Sequence, residues 1–344
     1  MKYKVSIITP CYNAENTLER EINSIINQTL GFENIELLLY DDKSSDNTGQ
    51  IIKKFSEEYS NIKAFFGNEN RGPGFARNKC LENSNGEYIL FLDSDDEFDL
   101  DMCNKLYSTA MSENADLVCC GVLRKDKIDV SKKSLEYDAS KATENTEDKI
   151  IFINKNGFYL NDNLTTHCLF EYGTIIKNNV NFSETYYAED VYFKLMYKLH
   201  SKKTVYLKNY FGYIHHAYTE STTSKIDLDI LNKIHDAQLD NMKQLKGYDL
   251  DLAFIFKGHI ICSLIRLYAL DLIKSPKSDV IDFLKKIREF EIETDSEYSF
   301  DFPINFLNGL ILKERYNLAY VCLYILRTLY HSKTLRKISR MFFK

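Results

Sequence analysis

Five carboxylates follow one apolar run in the stretch from Tyr88 to Leu100, YILFLDSDDEFDL: Asp93, Asp95, Asp96, Glu97 and Asp99 come directly after Tyr88, Ile89, Leu90, Phe91 and Leu92. A short unbroken apolar run is the pattern of a strand buried on both faces. Like charges crowded at its end raise one another's pKa unless a cation or strong donors answer them. Hard oxygen donors of this kind suit Mg²⁺ or Mn²⁺. In open α/β sheets ligands bind beyond the carboxyl ends of strands, so an ion held here can be shared with a substrate phosphate. A solvated acidic turn that caps a helix is the plain alternative. A helix–loop–helix calcium site fits worse, because its turn glycine would fall at Phe98 and its bidentate glutamate at Asn104.

Three other clusters have suitable chemistry. Asp41 and Asp42 directly follow a second apolar run, and a carboxylate there could accept the imide N–H of a uracil; a turn capped by aspartates explains the same pair structurally. The segment Asn70 to Asn78, NRGPGFARN, pairs glycines with Arg71 and Arg77. Glycine lets backbone approach a ligand closely, and an arginine beside a helix N-terminus suits phosphate. A dinucleotide fingerprint matches worse. It should follow the first strand, its third glycine would fall at Arg77, and the first loop, TPCYNAEN, has no glycine. That counts against a nicotinamide enzyme. Glu189 and Asp190 open a helical pattern whose dipole helps keep a carboxylate ionised; one of them could be a general base, or both could be ordinary first-turn charges. His215 and His216 close a strand pattern in YFGYIHHAYTESTTS, and either could give a nitrogen to a metal. His167 lies in an unassigned stretch and suits a core or an acceptor pocket equally.

The elements that must position these residues alternate through the first 122 positions. Val5 to Thr9 is an apolar run stopped by Pro10, and Ala14 to Asn27 has Leu18, Ile22, Ile25 and Ile26 at helical spacing. A second strand, Ile35 to Tyr40, leads into DDKSSDNT, where Asp46 or Asn47 can cap a helix carrying Ile51, Ile52 and Phe55. Ile62 to Phe66 is a third strand, Phe75 to Asn83 a helix, Asp101 to Glu113 another helix and Leu117 to Val122 another strand. Strands separated by helices imply parallel pairing with right-handed crossovers, which sets Asp41, Asp42 and the Asp93 cluster on one edge of a sheet. Residues 124–147 are polar and aperiodic, a surface excursion. Apolar patterning returns at Ile150; Asp190 to His200 reads as a helix, with short strands at Thr204 to Leu207 and Tyr210 to His215. Beyond about Ser224 the pattern is helical, broken at Pro276 and Pro303.

At 344 residues the chain suits one large domain, or one domain with a helical appendage. The net charge of −6 gives no reason to propose nucleic acid as partner. The start, KYKVSIITP, lacks the order of a signal peptide, and no apolar run approaches the ~20 residues that span a bilayer, so a cytosolic protein is expected. Eight scattered cysteines without a C-x-x-C pair read as buried, reduced thiols. From Lys313 onward eight Lys or Arg face Glu314 alone, so the tail is basic.

Taken in order, the clusters resemble the inverting glycosyltransferase family 2 of the GT-A fold. VSIITPCYN looks like its first strand and loop, ELLLYDDKSSDNT like its nucleotide-binding aspartates, and NRGPGFARN like its Gly-to-Ala-Arg-Asn helix start. GEYILFLDSDD looks like its DXD strand and AEDVYF like its late Glu-Asp motif. The resemblance covers roughly residues 1–223. It implies a mostly parallel central sheet flanked by helices, with a nucleotide-binding half of about 1–122, an acceptor half of about 123–223 and a C-terminal helical region, 224–344. It also implies a nucleotide-sugar donor, usually UDP-linked, with Mn²⁺ or Mg²⁺, and transfer to a glycan or lipid-linked polysaccharide acceptor of the cell envelope. Carried over motif by motif, Pro10, Tyr12, Asn13, Asp41, Asp42, Arg71, Arg77, Asp93 and Ser94 would meet the nucleotide. Asp93 and Asp95 would be the DXD pair with Asp95 on the metal, His215 or His216 a further ligand, Asp190 the base, and Glu189 and His167 acceptor contacts.

The chain departs from the family's pattern at Lys43, where a small glycine is usual, which could alter the turn beside the nucleotide. It has no tryptophan and no Q-x-x-R-W motif, so a processive synthase is not expected. A nucleotidyltransferase also pairs carboxylates with a metal, and a non-catalytic sugar-nucleotide-binding protein is a third reading. The basic tail, KERYNLAYVCLYILRTLYHSKTLRKISRMFFK, could rest on an anionic inner membrane face or pack as an ordinary helix.

Overall fold

The computed structural model describes residues 2–125, 130–133, 136–137, 139–154, 156, 160–161, 165–183, 187–216, 226–250, 252–294 and 304–331. Expectations for the tail beyond residue 331, for parts of 124–147 and for the 217–225 boundary fall outside them. The chain divides into two compact units, Met1–Thr219 and Glu220–Lys344.

In the first unit, β1 (Tyr3–Cys11), α1 (Leu18–Ile26), β2 (Ile35–Asp41), α2 (Thr48–Glu58), β3 (Ile62–Phe66), α3 (Pro73–Leu81) and β4 (Gly86–Phe91) alternate. Then come β5 (Glu97–Phe98), α4 (Met102–Glu113), β6 (Leu117–Lys125), β7 (Val130–Lys133), β8 (Glu136–Tyr137), β9 (Glu144–Asn145) and β10 (Lys149–Ile153). The unit closes with β11 (Leu160–Asn161), β12 (Cys168–Glu171), α5 (Tyr172–Lys177), α6 (Glu189–His200) and β13 (Lys203–His216). The main sheet runs β3-β2-β1-β4-β12-β6-β13-β10-β9, with β5 on β13 and β7 on β6; β8 and β11 pair separately.

β3, β2, β1 and β4 are parallel neighbours, and β6 is parallel to β13. β12 is antiparallel to both β4 and β6, which leaves those two pointing the same way. The sheet is therefore mixed, yet the carboxyl ends of β1, β2, β4, β6 and β13 share one edge. β12 escapes sequence reading because its four residues are too few for a period; its place is decided by pairing with two distant strands. β1 runs on through Pro10, since beyond Ile8 it pairs with β2 and no longer with β4, where a missing N–H is tolerated. β13 is one strand with register shifts between Tyr206 and Tyr213, at the place where a break between two strands was expected. There the Phe211 ring covers Gly121, where a Cβ would lie 2.5 Å from it.

Alternate strand residues feed two cores. Val5, Ile7, Leu37, Leu39, Leu90 and Leu92 pack with Leu18, Ile22, Ile52 and Leu106 of α1, α2 and α4. Ile8, Leu38, Ile89 and Phe91 pack with Ala76, Cys80, Ile175 and Phe193 of α3, α5 and α6. Helices thus cover both faces, and β1, β2 and β4 are apolar on both, which is why they read as unbroken runs.

The second unit holds α7 (Leu228–Leu245), α8 (Leu252–Ala269), α9 (Lys277–Thr294), α10 (Ile304–Leu312) and α11 (Tyr316–His331). Asp227 caps α7 by accepting the Ile230 N–H, and α9 starts immediately after Pro276. His235 and His259 share a 2.9 Å hydrogen bond within it, and burial holds the titration of both below the usual histidine range. No described helix is long and apolar enough to cross a membrane. All eight cysteines are free; six are buried, whereas Cys262 is exposed and Cys322 half-buried.

Candidate active site

The site is built where β1, β2 and β4 end. After β1, Asn13 takes a left-handed conformation (φ 50°), donates its N–H to Ser44 Oγ and accepts the Ser45 N–H at 2.9 Å. This locks the loop after β1 to the loop after β2 and leaves Tyr12 half-exposed. Asp41 Oδ1 accepts the Ser44 N–H at 2.9 Å, and Asp46 takes the Thr48 N–H at the start of α2. Asp42, almost fully buried, accepts the N–H groups of Arg71 at 3.0 Å and Gly72 at 2.7 Å. Both Asp42 oxygens thus anchor the start of α3. Gly72 stands at φ 86°, a conformation that suits glycine. Lys43 takes φ 68°, a left-handed conformation, within the turn that the Asp41–Ser44 bond closes.

α3 and the loop that leads into it present two arginines. The Arg71 guanidinium lies 3.8 Å from the centre of the Phe75 ring on the partly exposed rim. Arg77, one turn and a half further on, is buried and donates to Asp93 Oδ1 at 2.8 Å and to Glu189 Oε1 at 2.9 Å. Burial alone would lower its pKa, but Asp93, Glu189 and Asp190 together raise it. Gly74 has to be small here: a Cβ would come within 3.0 Å of Glu189 Cγ and of the Ser183 carbonyl.

The five carboxylates after β4 have divergent fates. Asp93 pairs with Arg77. Asp96, buried, accepts from the Tyr213 hydroxyl at 2.5 Å and the His216 N–H at 2.8 Å, and lies 3.2 Å from His215 Nδ1. Glu97 meets His216 Nε2 at 2.6 Å, Arg20 and Lys125. Asp99 accepts from the Tyr210 hydroxyl at 2.8 Å. The Asp95 carboxylate takes no hydrogen bond from another described residue, and burial with the charges of Asp96 and Asp93 pushes it up to about 7. The hydrogen bond that His215 Nδ1 donates to Asp96 raises the pKa of His215 against its partial burial.

Asp190 opens α6, where its Oδ1 accepts the Val191 N–H at 2.8 Å. Burial, then the Glu189 charge, pushes it up to about 7 while Arg77 pulls the other way. His167 is wholly buried, its carbonyl accepting the Cys120 N–H, a place inside the unit rather than on the rim.

A divalent cation suits the Asp95 carboxylate, which carries a charge that burial and two like neighbours oppose. Among the described residues, no group of three or more His, Cys, Asp or Glu side chains converges as a ready-made cage. Mg²⁺ and Mn²⁺ do not require one, since one or two carboxylates with substrate phosphates commonly hold such ions. Asp95, with His215 steadied by Asp96, supplies that kind of partial donor set, whereas His216 is engaged by Glu97. Asp95 and Asp190 each stand close in sequence to a carboxylate held by Arg77, so a cation donor and a carboxylate of raised pKa are tied to one guanidinium. Sequence reasoning missed Tyr213 and Arg20, which hold the acidic loop; the only signal was the polar spacing of Thr17, Arg20, Ser24 and Gln28 around a short helix.

Solved structures show the same architecture. S. aureus TarS 1–349 in complex with UDP-GlcNAc superposes with a TM-score of 0.69 at 18% identity, covering 94% of this chain and 92% of that one. The cholesterol galactosyltransferase of Borreliella burgdorferi is 27% identical over 334 residues, 91% of this chain and 92% of that protein. The UDP-Glc:alpha-D-GlcNAc-diphosphoundecaprenol beta-1,3-glucosyltransferase WfgD of Escherichia coli is 47% identical over 94 residues, 27% of this chain and 36% of that protein. The chain thus spans nearly all of the first relative and about a third of the second. The fold is that of the GT-A architecture, and the relatives this chain matches are named glycosyltransferases. Residues 6–176 match the model for Glycosyl transferase family 2.

Proposed function

We propose that this chain is an inverting, non-processive transferase that moves a sugar from a UDP-sugar to a hydroxyl of a glycan or lipid-linked acceptor, with Mn²⁺ or Mg²⁺ bound at Asp95. One observation carries this reading. Arg77 ties Asp93, two residues from the Asp95 carboxylate, to Glu189, next to Asp190, so the diphosphate side and the base side flank one guanidinium. The uridine end rests in the loops Pro10, Tyr12 and Asn13 and at Asp41 and Arg71, with Asp42 holding α3 in place and Ser94 beside the diphosphate.

Asp190 takes the proton of the acceptor hydroxyl as that oxygen bonds to the anomeric carbon. The bond from that carbon to the diphosphate breaks with its electron pair on the leaving oxygen, and a single displacement inverts the centre. A raised pKa suits the task, since a carboxylate that titrates near neutrality holds a proton better than an ordinary one. Glu189, held by Arg77, borders the acceptor side. When bound, the metal supplies charge neutralisation on the leaving group.

The names of the relatives support the sugar-nucleotide reading: TarS was solved with UDP-GlcNAc, and the Escherichia coli relative is named a glucosyltransferase with UDP-Glc and alpha-D-GlcNAc-diphosphoundecaprenol as its substrates. The test is a donor screen by thermal shift across UDP-, GDP- and dTDP-sugars with Mn²⁺, followed by product analysis. Release of a nucleoside diphosphate is expected; release of pyrophosphate would instead establish nucleotidyl transfer. A cytoplasmic enzyme resting on the inner membrane face through its basic C-terminal segment completes the proposal. Exposed Leu318, Val321 and Ile325 on one side of α11 support it. Salt-sensitive binding to anionic vesicles, lost on truncation after His331, is the expected result, and no binding at low salt contradicts it.

A further inference from the structure

The acidic loop after β4 is gripped from two sides, and the two grips differ in kind. β13 takes acidic side chains: Asp96 through Tyr213, His215 and the His216 N–H, and Asp99 through Tyr210. α1 and its flanks take mainly backbone. The Thr17 hydroxyl donates to the Ser94 carbonyl at 2.8 Å, and Arg20 donates to the Asp95 carbonyl at 2.5 Å. Ser24 Oγ accepts the Phe98 N–H at 3.3 Å. The Gln28 amide donates to the Asp99 carbonyl at 2.8 Å and accepts the Cys103 N–H at 2.9 Å. Positions 17, 20, 24 and 28 recur every three or four residues, the spacing of one helix face. Apolar Leu18, Ile22 and Ile25 of α1 are buried in the core, which fixes the helix that carries this polar row.

We propose that Arg20 and Thr17, at the head of this row, are positioning residues that fix the backbone of Ser94 and Asp95 so that the Asp95 carboxylate is presented to the cation and diphosphate. This inference rests on the proposed role of Asp95. Arg20 is suited to the part because its guanidinium also meets Glu97 Oε1 at 3.3 Å, so one rigid fork spans the carbonyl of Asp95 and the side chain two residues on. Neither Arg20 nor Thr17 is needed to touch the donor.

The test titrates UDP into the full chain with and without Mn²⁺, by calorimetry, for wild type, Thr17→Val, Arg20→Met, Arg20→Lys and Asp95→Ala. Residues that orient a metal ligand from behind are worth roughly 10- to 100-fold in affinity. The Mn²⁺-dependent gain in UDP affinity is expected to fall by roughly that factor in Arg20→Met, and less in Thr17→Val, while the affinity without Mn²⁺ stays at the wild-type value. Arg20→Lys should recover part of the gain, since one ammonium reaches the carbonyl or Glu97 but does not fork across both. Thr17→Val keeps the test available if Arg20→Met does not fold. Equal losses with and without Mn²⁺ would mean general loosening and would overturn the proposal. So would an unchanged gain in Arg20→Met and Thr17→Val beside a lost gain in Asp95→Ala, which leaves the role of Asp95 standing. An unchanged gain in Asp95→Ala removes that role and the proposal with it.

Discussion

Arg77 on α3 and Glu189 at the start of α6, 112 positions apart in sequence, pair at 2.9 Å in a buried contact. The same guanidinium holds Asp93, so one cation joins three segments at the carboxyl edge of the sheet. Removing it leaves Glu189 buried and unpaired. Arg77→Met should therefore lower stability by about 3–5 kcal/mol, the usual loss when one partner of a buried pair is deleted. Arg77→Lys should recover only part, because an ammonium lacks the fork. Urea unfolding measures both, and a loss below about 1 kcal/mol in the methionine variant would contradict the bridging role.

The base assignment has a pH signature. Burial and Glu189 raise Asp190 to about 7, so the unprotonated form needed to accept a proton is lost as pH falls through about 7, and kcat/KM should fall with it. Asp190→Asn should reduce transfer by ~10²-fold or more with UDP affinity nearly unchanged. Full activity in that variant would rule Asp190 out.

Asp190 also has a stability signature of definite sign. A carboxyl raised in the folded state binds its proton more tightly there, so its stabilisation is present below the ordinary value of 3.8 and is lost progressively up to about 7. Asp190→Asn should have a higher Tm than wild type at pH 8 and nearly the same Tm at pH 4. A Tm difference that does not change with pH would exclude the buried titration.

Glu21 allows the same logic away from the rim. It is fully buried, accepts the Thr9 hydroxyl at 2.7 Å, and burial raises it to about 8. Stability carried by its proton is lost between the ordinary 4.5 and about 8, so the Tm advantage of Glu21→Gln should grow across that window and level off above it. An advantage that shrinks with rising pH would mean that Glu21 is ionised in the fold.

Lys43 occupies the left-handed region at φ 68° with its side chain exposed. Glycine is free of the steric penalty there but loses more chain entropy on folding. Lys43→Gly should raise stability by about 0.5–1 kcal/mol in urea unfolding, and a loss would show that the lysine side chain makes a compensating contact.

The first part of the fold was readable because β1, β2 and β4 are buried on both faces and α1, α2 and α4 on one, so each strand wrote an unbroken apolar run and each helix an apolar period into the chain. The shared edge of Asp41 and Asp93 followed from parallel pairing of strands joined through helices. β12 was not readable, since four residues between two distant strands carry no period, and the single strand β13 was read as two because its irregular middle interrupts the pattern.

What the amino-acid order determined by itself was local: strand and helix periods, the turn at Asp41 to Ser44, and the accumulation of carboxylates after β4. Their division of labour was decided only in three dimensions. Asp93, Asp95, Asp96 and Glu97 are near neighbours of the same chemical kind, and Arg77, Tyr213 and Arg20, brought from elsewhere in the chain, take three of the four. A carboxylate's role depends on what solvates it, and in a buried loop that is set by packing between distant segments, which no local spacing encodes.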